Sequence, residues 1–352
     1  MSLLTHPGTT PSAFTRINAT SAGLLGISPA SYASLTGMEP EHLHDDRYRT
    51  PATTNVRLWE LMASRVHWTE CAQLMAEQTT LGLLGVWDYL LTSAATPLDG
   101  LRDAAAYFAA VADIRTETLL IAEDEQHITV SHVNAADLTY DVASAIRAYV
   151  LGLIRQRLGT ALRRPLVPVR VELAAQAPRH HGALLDLYGT RDIAFECPVS
   201  SITFLAADLR QATPYAQPGL STVLRRHAEQ TLAESIPLHG WLDLFRIALK
   251  ETSRHDGAGL RATAARMAVS PRTLQRRLDE HGTTWTSEVD ALRRADVTRL
   301  LRTTDLPLDS IAERSGYADA RAVRRAVLRW TGHTPAALRL QGHRPGTGAG
   351  LA

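Results

Sequence analysis

The chain has 352 residues, with 37 basic and 36 acidic side chains and a formal net charge of +1. Hydrophobic residues make up 45% of it and charged residues 21%, a composition that excludes disordered scaffolds and fibrous, collagen-like chains. At about 100–200 residues per domain, this length predicts two or three domains.

The N-terminal segment, residues 1–15, is rich in Thr, Pro and Ser and is predicted to be a flexible tail. It has neither the basic region nor the apolar core of a signal peptide. No stretch of the sequence approaches the ~18 uninterrupted apolar residues of a membrane span. We therefore expect a cytoplasmic protein with no membrane partner.

Residues 16–218 mix helical and strand periodicities and are predicted to form an α+β domain. Apolar residues at helical spacing predict helices over residues 51–75, 97–112, 137–158 and 180–189. Runs of β-branched residues predict a hairpin and two further strands over residues 118–133, 168–175 and 201–207.

Beyond residue 218 the sequence predicts helices and no strand. Residues 219–239 are predicted to be a helical linker, which either packs internally or forms a dimer contact. An all-helical domain is predicted over residues 240–342 and a Gly-rich flexible tail over residues 343–352. The predicted helices cover residues 221–234, 238–251, 260–268, 271–281, 286–302, 308–315, 319–330 and 335–341.

The charge is distributed unevenly along the chain. Residues 1–235 hold 18 basic and 24 acidic side chains, a net charge of −6, whereas residues 236–352 hold 19 and 12, a net charge of +7. A basic, all-helical half is typical of a nucleic-acid-binding module. All the basic residues except Lys250 are arginines. Arginine suits bidentate contacts with phosphates and guanine edges, although a GC-rich coding bias explains the same excess.

Residues 260–282 have the pattern of a helix-turn-helix. Ser270 and Pro271 occupy the N-cap and first position of the second helix, which buries Leu274 and Leu278 four residues apart. The side chains predicted to contact DNA, by reading base edges or by touching only phosphates, are Arg272, Thr273, Gln275, Arg276 and Arg277.

A weaker copy of this pattern follows 48 residues later, over residues 306–332. Ala312 takes the place of Ala264, and Gly316 and Tyr317 stand at the turn. The two units, joined by a long helix, are predicted to enter successive major-groove segments on one face of DNA. The second unit is predicted to contact DNA through Arg321, Arg324 and Arg325, the last of them at phosphates.

The segment from Leu260 to Arg339 resembles the C-terminal domain of the AraC/XylS family of transcriptional regulators. The motifs SPRTLQRRL, IAERSGY, RRAVLRWTG and TPAALR carry the resemblance. Ala268 stands where the family usually has glycine, so a positive φ there is expected to cost about 1 kcal/mol. Val323 and Val327 replace aromatic core residues of the family, so the second unit is expected to pack more loosely.

The N-terminal half is similar to the arabinose-binding-type domain found in one branch of that family. The segments LWELMA, LGLLGVWDYLL and PRHHGALLDLYG carry this similarity, which extends over about residues 22–209. The resemblance implies an effector-sensing and often dimerising domain, but it names no effector. It also implies RNA polymerase as a partner and activation as the commoner outcome.

Other chemistry has weaker support. Cys71 and Cys197 form no CxxC motif, and they are expected to be buried free thiols rather than a disulfide. The His and Asp residues at 42–46 suit a solvated loop better than a metal site. Without a nucleophile elbow, P-loop or HExxH motif, we expect no enzyme activity, cofactor or metal. The aromatic residues that line either an effector pocket or the core are Trp59, Trp68, Trp87, Tyr89 and Phe108.

The sequence therefore predicts a homodimeric transcriptional activator that binds double-stranded operator DNA and is controlled by a small-molecule effector. One alternative is a regulator without an effector, which acts through dimerisation or a partner protein. Another alternative is an enzyme domain within residues 1–235 fused to a DNA-binding module.

Overall fold

The computed structural model describes residues 8–214, 216–217, 219–255, 259–331 and 334–342. The chain divides into two compact units, Met1–His239 (unit 1) and Gly240–Ala352 (unit 2). The predicted tail at residues 343–352, and residues 1–7 of the predicted N-terminal tail, lie outside the described residues. In the ranges that are described, no helix combines the length and hydrophobicity that a membrane crossing requires.

Unit 1 is an α+β structure, as its sequence predicts. Its helices are α1 (Ser12–Leu24), α2 (Pro40–His44), α3 (Ala52–Ala63), α4 (Trp68–Gln78), α5 (Val86–Thr92), α6 (Pro97–Ala106), α7 (Tyr140–Leu162), α8 (Gly182–Tyr188), α9 (Ala206–Arg210) and α10 (Leu220–Glu234). Its strands are β1 (Thr9–Pro11), β2 (Tyr48–Pro51), β3 (Glu117–Glu123), β4 (His127–Asn134), β5 (Arg170–Glu172), β6 (Ile193–Ala194), β7 (Ser200–Leu205) and β8 (Ile236–Pro237).

The larger sheet has the strand order β3-β4-β7-β5-β6. The predicted hairpin is confirmed as the antiparallel pair β3–β4, with Ile121 opposite Val130. Its turn is held by Asp124, whose Oδ1 accepts hydrogen bonds from the backbone N–H groups of Gln126 (2.8 Å) and His127 (2.7 Å). Side chains of β4 alternate between buried and half-buried, so this strand covers the core with one face.

Helix α7 lies at the centre of unit 1 and packs against α4, α5 and β4. It is buried on most of its surface, which is the pattern of an interior helix rather than an amphipathic one. Gly152 allows α8 to approach closely, because a Cβ atom there would lie 2.3 Å from Cδ1 of Leu187.

A second, smaller sheet, β1-β2-β8, changes two sequence predictions. The tail predicted over residues 1–15 is wrong from Thr9 onward, because β1 pairs antiparallel with β2 and α1 begins at Ser12. The helix predicted over residues 221–234 is present as α10, and internal packing was one of the two alternatives left open for it. Residues 219–239 are not a separate linker, however, and the prediction of no strand beyond residue 218 is wrong. Helix α10 packs on α5 through a small apolar cluster, and β8 pairs parallel with β2, so both elements belong to unit 1.

The cysteines are free thiols, as expected, but their burial differs. Cys71 is fully buried in the core of unit 1, and burial raises the pKa of its thiol to about 12. Cys197 is only half-buried, and its Sγ contacts the carbonyl oxygen of Phe195 at 3.6 Å. The expectation of two buried thiols therefore holds for Cys71 alone.

A buried ion pair joins α5 to α7. Nε of Arg157 lies 2.6 Å from Oδ1 of Asp88, and both side chains are almost fully buried. Asp88 also accepts hydrogen bonds from the backbone N–H groups of Gly82 (2.7 Å) and Leu84 (3.2 Å), while Arg157 donates to the carbonyl oxygen of Thr79 (2.8 Å). The Asp88 carboxylate therefore holds both the guanidinium of Arg157 and the loop between α4 and α5.

We expect Asp88→Ala to lower the free energy of unfolding of unit 1 by about 3–5 kcal/mol, because it leaves a buried charge without its partner. Hydrogen exchange of α7, read by mass spectrometry, measures the loss. Glu60→Ala is the control: it removes the exposed pair between Glu60 and Arg57 (2.9 Å) and should cost less than about 1 kcal/mol. Equal effects of the two substitutions would contradict the structural role given to Asp88.

Candidate nucleic-acid interface

Unit 2 is helical throughout its described residues and contains the two predicted helix-turn-helix units. Helices α12 and α13 form the first unit, α15 and α16 form the second, and α14 connects them. The bounds are α11 (Trp241–His255), α12 (Leu260–Arg266), α13 (Pro271–Glu280), α14 (Trp285–Thr303), α15 (Leu308–Arg314), α16 (Ala320–Thr331) and α17 (Pro335–Gly342).

Each helix-turn-helix has its own hydrophobic core, and α14 contributes to both. The first core consists of Phe245, Leu249, Ala264, Leu274, Leu278 and Val289. The second consists of Val297, Leu300, Leu301, Ile311, Ala312, Val323, Val327 and Leu338.

A pair of hydrogen bonds also joins α11 to α14: Arg246 donates to the buried Glu288 at 2.8 and 3.0 Å. Burial by itself would lower the pKa of Arg246, but its bonds to Glu288 outweigh that effect and raise it.

The first turn has the geometry that the sequence suggested. Ala268 has a positive φ of 54°, and the next residue, Val269, donates its N–H to the carbonyl oxygen of Ala264 at 3.0 Å. Ser270 then caps α13, its Oγ accepting from the N–H of Thr273 at 3.1 Å. The left-handed position is thus occupied by a residue with a Cβ atom, at a cost in backbone strain.

The second turn closes in the same way with glycine at the strained position. Gly316 has a φ of 72°, and Tyr317 donates its N–H to the carbonyl oxygen of Ala312 at 2.9 Å. Asp319 then accepts from the N–H of Ala322 at 2.7 Å, which caps α16. The two turns are therefore 48 residues apart, whereas the caps, Ser270 and Asp319, are 49 apart, so the second turn is one residue longer.

Three of the predicted side chains lie along the exposed surface of α13. With 100° per residue, Arg272 and Arg276 point away from the buried Leu274 and Leu278, and Gln275 lies on one flank. Arg272 and Gln275 have no hydrogen-bonding partner among the described residues. This surface therefore presents free donors of the type that contact bases and phosphates.

Thr273 and Arg277 lie on the other flank of α13 and are engaged within unit 2. The hydroxyl of Thr273 hydrogen-bonds the capping Ser270 Oγ (2.9 Å). The guanidinium of Arg277 lies 5.6 Å from the ring centroid of Trp241. Arg276 makes an ion pair with Glu280, one turn further along the helix.

Helix α16 repeats this exposed surface. Shifting α13 by 49 residues aligns Arg272 with Arg321, Gln275 with Arg324 and Arg276 with Arg325. These three arginines, like Arg329 one turn further on, are exposed on the outer side of α16. The valines that replace the aromatic residues of the family, Val323 and Val327, are fully buried in the second core.

Two residues on these surfaces were not selected from the sequence. Leu328 is 54% exposed and lies between the arginines of α16, where an apolar side chain suits contact with a thymine methyl group. Asp279 occupies the matching position of α13 and is also exposed. Because Asp279 and Leu328 stand 49 positions apart, an alignment of α13 with α16 identifies them from the sequence.

The two exposed surfaces differ in charge. Helix α13 carries three arginines but also Asp279 and Glu280, whereas α16 carries four arginines and no acidic residue. Attraction to phosphates is therefore stronger at α16.

Other candidates from the sequence take ordinary structural positions. In the described residues, no three His, Cys, Asp or Glu side chains gather into a possible metal site. His42 instead lies 2.9 Å from Glu39, and Nδ1 of His44 lies 2.7 Å from the carbonyl oxygen of Pro40. Tyr89 is 44% exposed. The other aromatic candidates pack in the main core of unit 1: Trp59, Trp68, Trp87 and Phe108.

Comparison with protein families gives matches over both units. Residues 26–213 match the N-terminal arabinose-binding domain of AraC transcription regulators, and residues 263–341 match a helix-turn-helix domain.

Individual relatives are also regulators of transcription by name. The ornithine utilization regulator of Pseudomonas aeruginosa is 30% identical over 171 residues, which cover 49% of this chain and 50% of that protein. The chain thus matches about half the length of this relative. An uncharacterized HTH-type transcriptional regulator of Mycobacterium bovis is 25% identical over 332 residues, 91% of this chain and 93% of that protein. The crystal structure of the transcriptional regulator CdpR from Pseudomonas aeruginosa aligns with 93% of this chain and 97% of that chain, with 19% identity and a TM-score of 0.45.

The two turns provide a matched pair of substitutions. Ala268→Gly should stabilise the first helix-turn-helix by about 0.5–1 kcal/mol, because it removes left-handed strain that exceeds the added entropy of the unfolded chain. Gly316→Ala should destabilise the second by a similar amount; steric clash is no factor, because the added Cβ would meet Arg293 only at 3.5 Å. Hydrogen exchange of peptides from α13 and α16 measures both effects. Changes of the same sign at the two positions would contradict the strain argument.

Proposed function

This chain belongs to the AraC family of DNA-binding transcription regulators, in the branch with an arabinose-binding-type N-terminal domain, and we propose that a small-molecule effector bound by unit 1 controls how unit 2 binds operator DNA. In this proposal the protein is a cytoplasmic homodimer that activates transcription through RNA polymerase. Its role is regulation and not catalysis.

The repeated exposed surface of α13 and α16 is the observation that carries the DNA-binding mechanism. Arg272, Gln275 and Arg276 are proposed to read base edges in one major-groove segment. Arg321, Arg324 and Arg325 occupy the same helical positions and are proposed to enter the next segment, where the higher positive charge favours phosphate contacts. Thr273 and Arg277, on the flank of α13, are proposed to contact the sugar-phosphate backbone of the DNA.

Effector control is supported by the family of unit 1, whose match covers residues 26–213. One relative is named for the utilization of a small metabolite, ornithine, which supports the same kind of control here. Activation and dimerisation rest on the family, in which both are common.

Substitutions at the matched positions Arg276 and Arg325 test whether the first residue contacts bases and the second contacts phosphates. A duplex selected from a random library by the full-length protein is compared with its scrambled version by fluorescence anisotropy. Arg276→Ala should weaken binding to the selected duplex by about 5- to 150-fold and binding to the scrambled duplex much less, because a lost base contact costs about 1–3 kcal/mol.

Arg325→Ala should instead weaken binding to both duplexes equally. It should also reduce the slope of log affinity against log salt by about 0.9, as expected for one phosphate contact. If Arg276→Ala also affects both duplexes equally, α13 contacts only phosphates. If neither variant changes the affinity, the proposed orientation of the two helices on DNA is wrong.

The acidic neighbour of Arg276 gives a second test. Glu280→Gln frees the guanidinium from its ion pair and removes a charge that repels phosphates, so affinity for the scrambled duplex should rise by up to about fivefold. The rise should disappear in high salt. Glu60→Gln, which removes a partly exposed ion pair of unit 1, should leave the affinity unchanged. A fall in affinity on Glu280→Gln would mean that the carboxylate itself contacts a base.

A further inference from the structure

Unit 1 contains a cleft of about 500 Å³ between the C-terminal parts of α4 and α7, within the size range of small-molecule sites. We call it the α4–α7 cleft. Its lining includes both apolar and charged residues, among them Glu77, Leu81, Arg155, Arg157, Pro165 and Leu166.

Arg155 lines this cleft, and backbone carbonyl groups hold its guanidinium. Its Nε donates to the carbonyl oxygen of Leu166 (2.9 Å) and its Nη1 to that of Leu187 (3.0 Å), both of which are neutral acceptors. Among the described residues, no carboxylate makes an ion pair with it. Burial lowers the pKa of this half-buried guanidinium, as expected where its charge is poorly solvated.

Arg157 also lines the cleft, but its charge is balanced. Asp88 binds its Nε at 2.6 Å and its Nη2 at 3.3 Å, and the carbonyl oxygen of Thr79 takes a further bond from Nη2 (2.8 Å). Its Nη1 has no acceptor in the described part of the chain. Arg157 therefore offers a hydrogen-bond donor, while Arg155 offers the unbalanced charge.

Glu77 limits the charge that a ligand can carry. It is exposed at the edge of the cleft, and one of its carboxylate oxygens accepts from Nε2 of Gln73 (2.9 Å). A second negative charge on the ligand would be repelled by this carboxylate. One carboxylate on an otherwise neutral or apolar body matches the groups present.

We propose that the α4–α7 cleft is the effector site, and that it binds a small organic monocarboxylate. The carboxylate pairs with Arg155 and accepts a hydrogen bond from Arg157. The body of the ligand lies against Leu81, Pro165 and Leu166. This assignment rests on the effector control proposed above, and it adds the location of the site and the class of the ligand.

The cleft is connected to the end of unit 1 through packed elements. Asp88, the partner of Arg157, lies on α5 and holds the loop that leads from Thr79 to that helix. Val86 and Leu90 on the same helix pack against Ala228 of α10. Helix α10 is the last helix before unit 2 begins at Gly240. A ligand that moves Arg157 therefore acts on α5, the helix that supports α10.

The test uses the full-length protein and three monocarboxylates of increasing size: propionate, benzoate and 3-phenylpropionate. Each is compared with its neutral amide by calorimetry and by the midpoint temperature of unfolding. We expect at least one carboxylate to bind and to raise the midpoint in a concentration-dependent manner, and its amide to bind at least about tenfold more weakly. Failure of all three carboxylates to bind better than their amides would overturn the proposal.

Arg155→Met should abolish the preference for the carboxylate. Arg147→Met is its matched control: Arg147 is also half-buried on α7, donates to a backbone carbonyl oxygen (that of Asn134, 3.3 Å) and has a pKa lowered by burial, but it lies outside the cleft. Thr160→Phe, which fills the cleft from an exposed position, gives the same test if Arg155→Met does not fold. Binding that survives both Arg155→Met and Thr160→Phe would place the ligand elsewhere.

Affinity for the selected DNA duplex separates this proposal from the one it rests on. If a carboxylate binds through Arg155 but leaves the DNA affinity unchanged, the cleft is a binding site, and the proposal that it controls DNA binding is wrong. If an effector changes the DNA affinity equally in wild type and Arg155→Met, effector control is supported, and the proposal that the cleft is the effector site is wrong.

Discussion

Helix α14 supplies hydrophobic residues to both cores of unit 2, and the arrangement of α13 and α16 depends on this sharing. Val289 lies in the first core and Val297, two turns later, in the second. At 1.5 Å per residue the 19-residue helix is about 28 Å long. Because the first core also holds α13 and the second holds α16, the two exposed surfaces are built on one helix.

Helices α13 and α16 share the pattern of their exposed residues but differ in charge. Their exposed positions repeat at an interval of 49 residues, so Arg276 corresponds to Arg325. Acidic side chains accompany the arginines only on α13, where they offset the attraction of the arginines to phosphates. The overall charge of +1 therefore combines an acidic unit 1 with a basic unit 2, and within unit 2 the charge is again uneven.

The last helix of unit 1, α10, is joined to the rest of the unit by apolar and polar contacts. The buried Arg157–Asp88 pair ties α7 to α5, and α10 packs on α5 through apolar residues. Two partly exposed polar contacts join α10 to α6 and to the residue after it: Arg225 with Asp103 (2.8 Å) and Glu229 with Tyr107 (3.0 Å). The apolar cluster beneath α10 is small and separate from the main core. A helix with so small an apolar contact is expected to open locally at a lower free energy than the main core.

The sequence alone determined the features that depend on neighbouring residues: the α+β and helical halves, the hairpin, the cap at Ser270 and the left-handed position at Ala268. These follow from periodicity, capping and φ preference, which act over a few residues. Only the tertiary structure decided that β8 pairs with β2, since that register joins Tyr48 to Ile236 and a two-residue strand has no periodicity to detect. It likewise decided that Arg277 packs on Trp241 and that Arg155 makes no ion pair with a carboxylate of the described residues, because the partners of a long side chain come from elements distant in sequence.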